Sequence, residues 1–252
     1  MAFILHNAPQ STCSQRVRFV LNAKRLPFAE IKLDLLAGDQ FKPDYLLLNP
    51  NGVVPTLSHN GAIVTDSSVI IEYLDEIAPS PVNFTPRDPV LRAKMRALMR
   101  FIDEVPAASV RVPTYNLAFL PRFAAMSEEE FLAVAESKPL RKEFMLAMGR
   151  NGFPQKDMDS ALARLRRSYE RMDREIEKSG GPWLLGGDLS LADIAVMPAI
   201  VRMADLGQDT AWQDLPRVQR WYDAIRAYPA FAPTYYPGSL LTEQFQHLRK
   251  AS

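Results

Sequence analysis

The stretch from Asn49 to Ser67 constrains the fold of this chain more than any other. Pro50, Asn51 and Gly52 are turn formers. Two short apolar runs then flank His59-Asn60-Gly61, and Asn-Gly between such runs is the strongest short-range signal for a β-hairpin. A helix start follows at once at Asp66-Ser67. Pro55 stands just before the first hairpin strand, where its missing N–H costs no ladder bond. It pushes Val54 into an extended conformation. An extended residue at an open edge can pair with an incoming peptide backbone. The nearby helix N-terminus offers free N–H groups to a carboxylate. The stretch therefore suits a short acidic peptide, and it equally serves as an ordinary hairpin and helix of an α/β domain.

The residues before and after it complete a pattern. Phe3 to His6 reads as a strand, and Val17, Phe19, Val20 and Leu21 give a helical apolar face. Phe28 to Leu33 reads as a second strand, so the opening is a βαβ unit with parallel strands. Gln40 to Leu48 is a short helix or turn, and Ile70, Ile71, Leu74 and Ile77 recur at helical spacing. The order βαβ-α-ββα over residues 1–78 is that of a thioredoxin-like domain. Pro79, Pro81 and Pro86 crowd a linker over residues 79–88. Asp88-Pro89 then reads as a helix cap and first helical residue. Leu91, Met95, Leu98 and Ile102 carry that helix's buried face. No strand pattern recurs, so residues 89–252 are expected to be all-helical. Ser127 with Glu130 forms a capping box, and Leu162, Leu165, Tyr169, Met172 and Ile176 make the stripe of a long helix.

Composition narrows the function classes. With 30 Lys plus Arg against 29 Asp plus Glu there is no basic stripe for nucleic acid. The single Cys13 excludes an intramolecular disulfide and a cysteine zinc cage. His6, His59 and His247 do not space as metal ligands, so no metal is expected. The opening residues lack the basic region of a signal peptide, and no run of ~18 apolar residues marks a membrane span. The expectation is a soluble cytoplasmic protein. Ser190 and Asp193 look chemical. Their spacing is that of a capping box, with Leu189 and Ile194 as its hydrophobic staple. A Ser–Asp catalytic pair would need a histidine, and none is near in sequence.

Taken together, the Val54-Pro55 and Asp66-Ser67 pairs, the proline-rich linker, and the helical domain with its Ser190–Asp193 box resemble the glutathione S-transferase superfamily over essentially the whole length. The resemblance implies a cis bond before Pro55. It implies that Val54 pairs with the cysteinyl backbone of glutathione, and that Asp66 and Ser67 hold the γ-glutamyl end. Gln40 aligns with a glutathione contact of the zeta class. The resemblance also implies a homodimer, with the helix from Pro89 to Val105 at its interface.

Two subfamilies compete. Ser11-Thr12-Cys13-Ser14-Gln15-Arg16-Val17-Arg18 resembles the Ser-Ser-Cys-Ser-x-Arg-Val-Arg signature of zeta-class enzymes, which include maleylacetoacetate isomerase; Thr12 departs from it. In that class the position of Ser11 carries the thiolate-activating hydroxyl. Arg150-Asn151-Gly152-Phe153-Pro154-Gln155 resembles a segment of bacterial glutathione-dependent β-aryl-ether-cleaving enzymes of lignin degradation, and the insert from about Pro106 to Asp157 has the size seen there. In those enzymes the hydroxyl residue aligns with Ser14. Cys13 is a third candidate, because some related classes form a mixed disulfide at that position.

The shared chemistry is thiolate activation. A free thiol ionises near pH 8.5, and a hydroxyl donor and a helix N-terminus can together make thiolate the main form at neutral pH. One of the hydroxyls is expected to cap the first helix and another to act on the sulfur. The acceptor site is expected between the domains. Tyr115, Phe119 and Phe123 are expected to wall it, with Met99 and Phe101 as further wall residues. Three activities follow from the resemblance: attack on an electrophilic aromatic compound, including displacement of an aryloxide beside a ketone; isomerisation of a maleyl-type double bond, with Arg16 and Arg111 available for its carboxylates; or glutathione binding without turnover.

Overall fold

The computed structural model describes residues 2–250, with the backbone alone at Lys250. Met1 and residues 251–252, at the two ends of the expected domains, lie outside the described residues. The first part is a four-stranded sheet of β1 (Phe3–Asn7), β2 (Phe28–Lys32), β3 (Thr56–His59) and β4 (Ala62–Thr65), in the order β2-β1-β3-β4. β1 and β2 are parallel, joined through α1 (Thr12–Ala23), as the βαβ reading requires. β3 pairs antiparallel with both β1 and β4. Asn60 and Gly61 between β3 and β4 have φ of 50° and 86°. Two left-handed residues in a row are what a two-residue hairpin turn demands, which is why the Asn-Gly signal is strong.

α1 packs against α3 (Ser67–Ile77) and, across the domain boundary, against α11 (Leu191–Asp205). Leu5, Val17, Leu21, Leu57, Ile70 and Leu74 are fully buried in this layer. α2 (Pro43–Leu48) contributes Tyr45 to a smaller cluster with Ala8, Leu33 and Val54. The Val54–Pro55 bond is cis.

The remainder is helical. α4 (Pro89–Glu104) opens with Asp88 Oδ1 accepting from Leu91 N–H at 2.8 Å. α5 (Pro106–Ser109), α6 (Arg111–Thr114), a π-helical turn (Tyr115–Phe119) and α7 (Leu120–Ala124) follow almost without interruption. α8 (Glu128–Glu136), with its Ser127–Glu130 capping box, and α9 (Lys142–Met148) form the insert. Then come α10 (Gln155–Ser179), α11, α12 (Pro216–Ala227), α13 (Phe231–Thr234), α14 (Leu241–Gln244) and a final 3₁₀ segment (Gln246–Lys250).

Pro121 has no N–H to give the Leu117 carbonyl. His247 Nε2, in its protonated tautomer, donates to that carbonyl instead at 2.9 Å, which ties the C-terminal segment to the turn. Asn116 fastens the same turn to the Arg150–Gln155 segment: Phe153 N–H donates to its Oδ1 and its Nδ2–H donates to Phe153 O, at 2.8 and 2.9 Å.

Ser190 and Asp193 are structural. Asp193 is fully buried and accepts from Ser190 N–H and Oγ–H through Oδ2, and from Leu184 N–H and Trp221 Nε1–H through Oδ1. Leu189 and Ile194 are both buried beside it.

Candidate functional site

The start of α1 anchors the site. Ser11 is the N-cap: its Oγ accepts from Ser14 N–H at 3.2 Å, which leaves its own proton free to donate outward. The N–H groups of Thr12 and Cys13, the first two of the helix, have no partner among the described residues. Ser11, Thr12 and Cys13 all line a cavity of about 750 Å³ between the two domains.

Ser14 does not line it. Its side chain is fully buried, and its Oγ accepts from Ala8 N–H at 3.4 Å. The expectation that Ser14 could meet the thiol is thereby corrected. Ser11 both caps the helix and faces the cavity, which the neighbouring Thr12 also lines. The signal was present in the sequence. Ser14, Val17 and Leu21 follow the i, i+3, i+7 spacing of one helix face, and Val17 and Leu21 are core.

Val54 lines the same cavity as this helix start. Neither its N–H nor its C=O makes a hydrogen bond within the described residues. The preceding carbonyl, of Val53, accepts from Tyr45 Oη–H at 2.6 Å and Asn49 Nδ2–H at 2.9 Å, which holds the segment in place. Pro55 is buried behind Val54 and is not part of the wall.

Gln40 is buried and lines the cavity. Its Nε2–H donates to Leu35 O at 3.3 Å, while its Oε1 has no partner among the described residues. Gly52 holds this corner together. Its φ is 59°, and a Cβ there would come within 2.8 Å of the Phe41 ring. Gly52→Ala is expected to cost about 1–2 kcal/mol from the left-handed backbone alone, read as a lower urea midpoint; an unchanged midpoint would contradict this placement.

Asp66 and Ser67 lie outside the lining of the cavity itself. Asp66 caps α3, its Oδ1 accepting from Ser68 and Val69 N–H at 2.8 and 3.2 Å. It is exposed, and its Oδ2 has no partner among the described residues. Ser67 Oγ accepts from Arg16 Nη1–H at 3.2 Å.

Arg16 is thus committed elsewhere. It is buried, donates to Ala195 O at 2.8 Å and forms an ion pair with Asp103 at 2.6 Å. It is not available to a substrate carboxylate, contrary to the sequence-based expectation. Its partners lie 51 or more positions away along the chain, so local pattern gave no sign of its burial.

Tyr115, Phe119 and Phe123 all face the cavity. The Tyr115 and Phe123 rings are parallel with centroids 6.0 Å apart, and Phe119 meets Tyr115 edge-on at 5.1 Å. Burial pushes the Tyr115 hydroxyl above its ordinary pKa. Met99 and Phe101 are not wall residues. Met99 is in the core, and Phe101 packs at the core edge under Arg171. Arg111 does line the cavity, together with Lys138, Arg141 and the C-terminal Phe245, none of the last three expected from sequence. Lys138 and Arg141 sit between two short helices of the insert, and Phe245 follows a four-residue helix, so no periodicity marked them.

Among the described residues no group of three His, Cys, Asp or Glu side chains could hold a metal, and no helix is long and apolar enough to cross a membrane.

A four-stranded thioredoxin-like sheet domain leading into a helical domain, with a cleft between them, defines the architecture. Sequence comparison agrees. Residues 10–77 match the family described as glutathione S-transferase, N-terminal domain, and residues 119–224 match glutathione S-transferase, C-terminal domain. Protein LigF of Sphingobium sp. strain SYK-6 is 31% identical over 217 residues, covering 83% of this chain and 84% of LigF. The chain belongs to the glutathione S-transferase family. The crystal structure of the β-etherase LigF superposes with a TM-score of 0.83 at 28% identity, covering 93% of this chain and 99% of that one. The maleylacetoacetate isomerase maiA of Aspergillus fumigatus is 31% identical over 196 residues, covering 76% of this chain and 72% of its own. Both expected subfamilies therefore appear among the relatives.

Proposed function

We propose that this chain is a glutathione transferase in which the glutathione sulfur sits at the start of α1 and attacks an aromatic electrophile held against Tyr115, Phe119 and Phe123. The observation that carries the reading is Val54. Its unpaired N–H and C=O belong to the cavity that Ser11 also lines, together with the aromatic residues. An extended tripeptide pairs there as an added strand would. Asp66 Oδ2 takes the γ-glutamyl ammonium, and Ser67 takes the adjoining carboxylate. Gln40 Oε1 accepts an N–H further along the peptide. Ser11 Oγ–H and the Thr12 and Cys13 N–H groups hold the thiolate.

The reaction we assign is that of the β-etherase relative. The thiolate attacks the carbon bearing an aryloxy group beside a ketone. A C–S bond forms, the C–O bond breaks, and the aryloxide leaves with the electron pair and takes a proton to become a phenol. The adjacent carbonyl activates that carbon.

Two measurements test this reading. Incubation with glutathione and a β-aryl ether ketone is expected to release a phenol and leave a thioether; a maleyl acid isomerised instead, or no product from either, overturns the assigned reaction. Asp66→Ala and Ser67→Ala are each expected to weaken glutathione binding by about tenfold or more, the worth of a hydrogen bond to a charged group. Undiminished affinity in both would remove the γ-glutamyl placement.

A further inference from the structure

The cavity carries several charged side chains, and most have partners within the protein. Lys32 is paired with Glu30 at 3.6 Å. Asp34 Oδ1 accepts from Leu36 and Ala37 N–H, and Asp39 accepts from Asp34 N–H and pairs with Lys42. Arg202 donates to Gln10 O. The Lys138 ammonium lies 4.8 Å over the Phe41 ring, next to Gln40 on the glutathione side.

Two guanidiniums remain. Arg111 and Arg141 both line the cavity, and neither side chain makes an ion pair or hydrogen bond with any described residue. They are near enough for the charge of Arg141 to lower the pKa of Arg111, after the larger effect of burial. Cys13 at the helix start and Tyr115 in the aromatic wall are the groups of opposite tendency in range of Arg111. Two half-buried like charges lining one cavity without an anion are unfavourable in the free protein. A planar fork of N–H donors matches a carboxylate in two-point fashion.

We propose that the acceptor half of the cavity binds a molecule combining an aromatic ring with a carboxylate, the ring against Tyr115 and Phe123 and the carboxylate between Arg111 and Arg141. This deepens the transferase reading and rests on it for the name of the second substrate. The site selects aryl acids over the neutral aryl compounds that fit the same aromatic wall. Both guanidiniums are half-buried, so water and salt screen a carboxylate between them less than they screen an exposed ion pair.

The test is calorimetric binding of phenoxyacetate and of its neutral isostere phenoxyacetamide to the full chain. Both are titrated with and without saturating S-methylglutathione, which cannot react. The acid is expected to bind about tenfold or more tightly than the amide, and this preference is expected to vanish in the Arg111→Gln, Arg141→Gln double variant. If that variant does not fold, the single variants Arg111→Gln and Arg141→Gln, which each remove one of the two charges, are each expected to lose a large part of the preference. Equal binding of acid and amide to the parent would overturn the proposal, as would a preference that survives in the variant. A variant that loses S-methylglutathione affinity instead would assign the guanidiniums to the tripeptide and overturn it too. If S-methylglutathione fails to bind the parent, the transferase reading fails separately, because the acid–amide comparison on the unliganded chain still decides the anion site.

Discussion

Replacing Asp193 by alanine is expected to remove about 3–5 kcal/mol of folding stability, the range seen when one partner of a buried charged network is deleted. The carboxylate is fully buried and takes four hydrogen bonds: from Leu184 N–H and Trp221 Nε1–H at 2.9 and 2.8 Å, and from Ser190 N–H and Oγ–H at 3.0 and 2.7 Å. Alanine leaves these donors without an acceptor in a place water does not reach. Domains of ordinary stability hold about 5–15 kcal/mol in total, so the variant stands near the threshold of folding. The consequence reaches the site, because α11 packs directly on α1 and accepts the Arg16 Nε–H through Ala195 O. Burial raises the pKa of Asp193, opposed by its four donors. Asp193→Asn, which keeps one acceptor oxygen but turns an amide N–H toward Ser190, is therefore expected to fall between parent and alanine. Equilibrium urea denaturation of the three proteins checks this; an alanine variant with the parent's midpoint would show that the network is dispensable.

Ser11→Ala is expected to raise the pKa of enzyme-bound glutathione by about 1–2 pH units, the worth of one hydrogen bond to a charged group. Ser11 already accepts from Ser14 N–H, so its own hydroxyl proton is free to point at a sulfur in the cavity. The sign follows from the reactive form being the thiolate. Raising the pKa lowers the thiolate fraction at neutral pH and leaves it unchanged well above the new pKa. Turnover of a β-aryl ether ketone is expected to fall about three- to twenty-fivefold near pH 7, in step with the thiolate fraction, with the loss recovered at alkaline pH. The lost cap adds a stability cost of ~1 kcal/mol, which a melting curve reports separately. Ser11→Thr keeps a hydroxyl and a cap and is expected to restore most of the shift. Ser14→Ala, with its side chain sealed against Ala8, is expected to move stability and leave the thiol pKa alone. Loss of all thiol chemistry in Cys13→Ser, with Ser11→Ala unaffected, would transfer the role to Cys13 and a mixed disulfide.

The sequence carried the scaffold well, because its signals are local. The Asn60-Gly61 turn, the Asp88-Pro89 helix start and the Ser127–Glu130 box each rest on residues within one turn of one another. The helical face each residue shares separates Ser14 from Ser11 and Met99 from the cavity wall. Ser14 shares its face with Val17, and Met99 shares one with Met95 and Ile102. What could not be read was long-range. Arg16 is buried because Asp103 and Ala195 arrive from two other helices. Lys138, Arg141 and Phe245 become cavity residues because the insert and the C-terminal segment fold across the cleft, as Arg122 Nη2–H donating to Leu36 O and the Lys138 contact with Phe41 show. Charged residues between short helices look in sequence like any solvated surface.

The central claim is that glutathione binds along Val54 with its sulfur ionised at the start of α1. The thiolate absorbance of glutathione bound to the parent protein, followed against pH, tests it most directly. The bound thiol is expected to titrate about two pH units below the free value of ~8.5, so that thiolate predominates at neutral pH. A bound thiol that titrates at the free value, or a protein that binds no glutathione, would contradict it.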